Sequence, residues 1–146
     1  MRLIPPAWFL LAVALMIALQ LFAPGPAWIS SPERFAGVAV IALGLALVVM
    51  SIPSFVRART SIHPDHTPSA LIRTGLYRFT RNPIYLGNVI ALLGIAVVMG
   101  VTTPFIVPFV FAMIIRKLFI EREEANLHDE FGSAYNDYCH KVRRWI

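Results

Sequence analysis

Four apolar runs set the pattern of the chain: residues 7–22, 35–56, 84–101 and 104–119 are almost free of charge, and short polar or proline-rich stretches separate them. Each run is about as long as a helix that crosses the hydrocarbon of a bilayer, so the pattern predicts about four transmembrane helices. The first run is also compatible with the apolar part of a signal peptide. Pro5, Pro6 and Trp8, which read as an interfacial anchor, favour a retained helix. Gly37 and Gly44 fall seven residues apart in the second run, and Gly87 and Gly94 repeat that spacing in the third. Small residues at this interval lie on one helix face and let helices approach closely. Thr102, Thr103 and Pro104 predict a tight turn that makes the third and fourth runs a helical hairpin. Pro108 marks a kink or a late start of the fourth.

Beyond residue 120 the pattern changes. Leu127, Phe131, Tyr135, Tyr138, Val142 and Trp145 recur at intervals of 4, 4, 3, 4 and 3, which predicts one amphipathic helix running through Gly132 and lying on the membrane surface or covering the bundle. The segment 57–83 is the other long polar stretch. Within it Gly75 permits a tight turn, and Asn82-Pro83 reads as an N-cap followed by proline at the first helical position. Arg73, Arg78, Arg81, Tyr77 and Tyr85 crowd that helix mouth, where free backbone N–H groups already favour an anion.

The chain has 146 residues, 58% of them hydrophobic, and a mean hydropathy of +0.68. This is too apolar for a soluble fold of that size and fits a single all-α domain, 1–146, embedded in a membrane. Charged residues make up 14% of the chain, and the net charge of +5 belongs to the segments flanking the apolar runs. No nucleic-acid partner is implied, because no basic face lies apart from lipid-length neighbours. All but Arg34 of the 13 Lys and Arg residues fall at the N-terminus, in the 57–82 loop or from Arg116 onward. By the positive-inside bias, loop 57–83 and tail 120–146 share the cytoplasmic side of a multi-pass protein, as expected for a bacterial inner membrane. Cys139 is the single cysteine, and the histidines at 63, 66, 128 and 140 fit no zinc spacing, the nearest approach being His63-Pro-Asp-His66. No metal is expected.

Two motifs in the second half carry a resemblance. Gly75-Leu-Tyr-Arg followed by Arg81-Asn-Pro-Ile-Tyr-Leu-Gly87 is similar to the Gly, Tyr, Arg and Arg-His-Pro-x-Tyr pattern of the isoprenylcysteine carboxyl methyltransferase and phospholipid methyltransferase superfamily. Glu123-Glu-x-x-Leu127, Phe131-Gly132, Tyr135-x-x-Tyr138 and Val142-Arg143 resemble the ending of the same small membrane enzymes. The family usually has His where this chain has Asn82, which can cap a helix but cannot titrate near neutral pH.

The resemblance implies S-adenosylmethionine as cofactor. It places Gly75, Tyr77, Arg81, Asn82, Pro83, Tyr85, Glu123 and Glu124 at the cofactor, with the two glutamates toward its ammonium or ribose hydroxyls. Arg143 or Arg144 would orient an acidic acceptor, and Glu123 would serve as base toward an amine. The acceptor implied is lipophilic or small, a carboxylate, thiol or amine, and can enter from the surrounding membrane lipid. The competing reading is a non-enzymatic four-helix membrane protein: lipid-binding, a scaffold or a small transporter subunit. A proton-coupled exporter needs an acid within a span, and the four apolar runs contain neither Asp nor Glu. Lys117 with Glu121 is the expected i,i+4 pair beside the acidic cluster.

Overall fold

The structure, a computed structural model, describes residues 4–60 and 68–146; the His63 and His66 pair lies outside them. It is an all-α membrane bundle. The helices are α1 (Pro5–Phe22), α2 (Ser31–Ala58), α3 (Pro83–Met99), α4 (Ile106–Ile115), α5 (Glu121–Phe131) and α6 (Ser133–Lys141), with 3₁₀ turns at Gly75–Arg78 and Thr103–Phe105. α1, α2 and the stretch Thr103–Phe131 are long and apolar enough to cross a membrane. α3, with 17 residues, spans about 26 Å, slightly under the roughly 30 Å hydrocarbon thickness.

The two glycine pairs face each other. α2 and α3 run antiparallel with Gly37 against Gly94 and Gly44 against Gly87; a Cβ on these four would come within 2.7, 2.6, 2.5 and 2.6 Å, respectively, of the facing backbone. Only glycine allows the two backbones to touch in this way. The main core lies on the other side of α3, where Met16, Leu92, Ala96, Ile115 and Ile120 are fully buried between α1, α3 and α4. α2 leaves Phe35, Val38, Val49 and Val56 exposed, as a lipid-facing helix does. At the end opposite the polar loop, Trp28 N–H donates to the Gly100 carbonyl and Thr102 N–H to that of Pro26, and Arg34 Nε donates to Ile29. Pro108 sits in the first turn of α4, so it marks a late start and leaves no broken bond within the helix.

The last span departs from the expected pattern in two places. Between α4 and α5 the backbone passes through a π-helical turn, Arg116–Ile120. Its wider winding brings residues five apart together, so Arg116, not Lys117, pairs with Glu121, at 3.0 Å. The extra residue of a π turn also advances the following helix by about 100° relative to an uninterrupted one. The tail is two helices, not one. Gly132 adopts φ +50° and ψ −120°, a conformation outside any helix and suited to glycine, so the apolar stripe bends there. Tyr135, Tyr138 and Val142 then pack with Leu71, Leu127 and Phe131 into a small second core.

Candidate functional site

Loop 68–82, α5, α6 and residues 143–145 meet at one end of the bundle. Gly75 takes φ +61°, which starts the turn that turns Tyr77 inward, edge-on to Phe55 at a centroid distance of 5.7 Å. Tyr138 Oη donates to the Tyr77 carbonyl at 2.7 Å. The chain then arrives at α3 already tied to residues 143–144: Arg81 N–H donates to Arg143 O, Thr80 Oγ1 to Arg144 O and Asn82 Nδ2 to Arg144 O, at 3.0, 3.2 and 3.1 Å. Asn82 stands at the N-cap position, with Pro83 first in the helix, but its side chain makes no capping bond. Its amide holds residue 144 instead, and the geometry of the turn makes this possible because Thr80 Oγ1 accepts the Asn82 N–H.

Two carboxylates enter this frame from α5, and being adjacent on a helix they diverge. Glu124 is held on both sides: Arg144 grips it through two bonds of 3.0 and 2.6 Å, and Arg81 Nη1 lies 3.4 Å away. Glu123 turns the other way and accepts a hydrogen bond from Tyr85 Oη at 2.5 Å. Arg81 also donates through Nη1 to Tyr135 Oη at 3.3 Å. Its Nε is buried with no hydrogen-bond partner among the described residues. A buried guanidinium nitrogen left unmatched is costly. Burial pushes the Tyr138 phenol up to about 12, and burial together with the Glu123 charge raises that of Tyr77. These hydroxyls stay protonated and act as neutral donors across the physiological range.

Together these groups form the head of a cavity of about 610 Å³, within the roughly 300–1,000 Å³ typical of small-molecule sites. Tyr77, Arg81, Asn82, Tyr85, Glu123 and Glu124 line its polar end. Apolar side chains complete its wall: Pro6, Phe9 and Leu10 of α1 with Leu45, Val48 and Phe55 of α2, the last edge-on to Tyr77. Of the remaining residues singled out in the sequence, Gly75 shapes the turn and Pro83 is buried behind the cavity. Arg143 is exposed and contributes only its carbonyl to the rim, while Arg144 reaches the site through Glu124. Asn88 and Asn126 also line the cavity and were not foreseen. Asn88 carried a signal, being an amide inside an apolar run, where polar side chains turn toward the bundle interior.

An apolar bundle with a polar-lined cavity among its helix ends describes a membrane protein with room for a small molecule. Comparison with known proteins sharpens this. A family model described as phospholipid methyltransferase matches residues 32–134, and the chain belongs to that family. It is 35% identical over 75 residues to the protein-S-isoprenylcysteine O-methyltransferase of Schizosaccharomyces pombe, a match covering 49% of this chain and 30% of that protein. It is also 35% identical over 63 residues, 43% of this chain and 79% of the other, to an uncharacterized protein of Haemophilus influenzae.

Proposed function

We propose that this chain transfers a methyl group from S-adenosylmethionine to a lipophilic or small acceptor on the cytoplasmic side of the membrane. The observation that carries the reading is the mixed lining of the cavity: hydrogen-bonding groups of both signs together with apolar side chains of α1 and α2. The residues present fit the cofactor. The Arg81 guanidinium, which lines the cavity, suits its carboxylate, and Glu123 suits its ammonium or ribose hydroxyls. When bound, S-adenosylmethionine supplies an electrophilic methyl on a sulfonium, so the chain needs no nucleophile of its own.

The protein's share of the work is then positioning, charge and exclusion of water. Glu124 is already matched by Arg144 and Arg81, so its task is to hold the Arg81 guanidinium in place. Glu123 is the carboxylate with capacity to spare. It binds the cofactor, and with an amine acceptor it takes the proton released on methylation. Tyr85 fixes the Glu123 rotamer through its hydroxyl. Arg144 acts through Glu124 and does not reach for the acceptor itself. The family name and that of the fission yeast relative both carry a lipid-bearing acceptor, and the apolar side chains lining the cavity suit such a chain. The clustering of Lys and Arg around the rim supports a cytoplasmic placement.

Titrating the protein in nanodiscs with S-adenosylhomocysteine tests the reading. Saturable thermal stabilisation is expected, since a ligand specific for the folded state raises stability by mass action. No stabilisation at millimolar ligand, with the helical fold intact, removes the enzyme reading. Incubation with methyl-labelled cofactor and a lipid extract then identifies the acceptor.

A further inference from the structure

A second hollow, of about 260 Å³, lies beside the rim and is lined by Arg73, Arg78, Asp137, Tyr138, Lys141 and Val142. Tyr138 lines both this hollow and the large cavity, so it is the partition between them. The proposed methyl transfer uses none of the charged groups here. Arg73 and Arg78 flank the Gly75 turn, and Asp137 and Lys141 are one turn apart on α6. Three cations against one carboxylate leave a net charge of +2 around a space that suits one tetrahedral anion. Arginine forks bind phosphate oxygens in pairs, and lysine adds a point charge.

We propose that this hollow binds the phosphodiester headgroup of an anionic phospholipid from the surrounding bilayer. The lipid, as the source, is favoured by position. The hollow lies at the end of the bundle where the spans give way to loop and tail, and Phe79, next to Arg78, leaves 73% of its surface exposed. An exposed aromatic beside clustered arginines belongs at headgroup level, where anionic lipid is concentrated and each nearby cation contributes to its capture. The site has a consequence for its neighbour. The Gly75 turn and α6 meet there through the Tyr138–Tyr77 hydrogen bond. A phosphate gripped from both sides draws them together and stiffens the shared partition. Lipid charge thereby reaches the large cavity without entering it.

Native mass spectrometry of the full chain, released from micelles holding equimolar phosphatidylglycerol and phosphatidylcholine, measures the binding directly and needs no methyl transfer. The wild type is expected to retain phosphatidylglycerol in preference. Arg78→Gln and Lys141→Gln should each weaken that retention about fivefold, the effect of one cation near an anionic surface. Asp137→Asn should strengthen it, a gain that misfolding cannot imitate. Equal retention of the two lipids by the wild type overturns the proposal. So does unchanged retention in Asp137→Asn, whether or not the cation variants fold. Displacement of the lipid by millimolar inorganic phosphate identifies a free-anion site and rejects the lipid as its source.

Discussion

Between α2 and α3 the chain is held by the absence of side chains: four glycines bring two backbones into contact, and what they meet is backbone and aliphatic carbon. At the rim the reverse holds. Loop 68–82, α5 and residues 143–145 are joined by carbonyls, amides and a guanidinium–carboxylate cluster, with Arg81 and Glu124 each leaving 15% of the side chain exposed. Steric contact of the first kind tolerates no added atom but ignores pH and ligands. Polar contact of the second kind depends on each partner and leaves valences that a ligand can take up. A membrane protein that must be both rigid and chemically responsive keeps the two in separate places.

Substitutions placed in one region or the other test that division. The largest effect is expected from Gly44→Val, whose Cβ would meet backbone at 2.5 Å on both the Gly87 and Ala91 sides. Overpacking of this kind costs about 3 kcal/mol or more where backbone cannot yield, so thermal unfolding in detergent should show a large loss of stability with rim and bundle failing together. Glu124→Gln comes next. It removes the negative partner of both Arg144 and Arg81 and should destabilise by about 1.5–3 kcal/mol. Protease cleavage near residues 143–145 should increase while the α2–α3 pair stays protected. A wild-type cleavage pattern would show that the cluster does not hold the rim.

The smallest effect on stability, and the most specific, is expected from Glu123→Gln. Its hydrogen bond to Tyr85 survives in altered form, so folding should change little. Affinity for S-adenosylhomocysteine should fall about 10- to 150-fold through loss of a charge-assisted contact. Glu130→Gln, an exposed site on the same helix, serves as the control and should stay within about twofold. Equal behaviour of the Glu123 and Glu130 variants would move the functional carboxylate elsewhere.

The spans were legible because length and hydropathy depend on composition over a whole turn or more, and the start of α3 because Pro83 fixes it. The glycine spacing revealed two faces but not that they face each other, since pairing is decided by the packing of the whole bundle. Gly132 reads as a tolerable interruption in a 3.6-residue period, yet its backbone, at φ +50° and ψ −120°, breaks the helix, and apolar spacing alone does not encode such a dihedral pair. The fork of Arg144 on Glu124 joins residues 20 apart across α5 and α6, with the break at Gly132 between them. No local rule predicts that. Asn82 was legible as a cap position, but its side chain found a better acceptor in Arg144 O, 62 residues away. Motif resemblance singles out Tyr77, Arg81, Asn82, Tyr85, Glu123 and Glu124, and the fold brings all six to one cavity.

The bond from Thr80 to the Arg144 carbonyl spans 64 residues, and this fixes when the rim can exist during synthesis. Helices α2 and α3 can insert and pair while the ribosome is still adding α5, since the contacts of their four paired glycines reach no further than Val98. The cavity's polar end must wait for residues 143 and 144 to leave the exit tunnel and find Arg81 and Asn82. A chain halted a few residues early would be inserted and packed yet have no clamp on its acidic pair. Quality control that senses only membrane insertion would pass it.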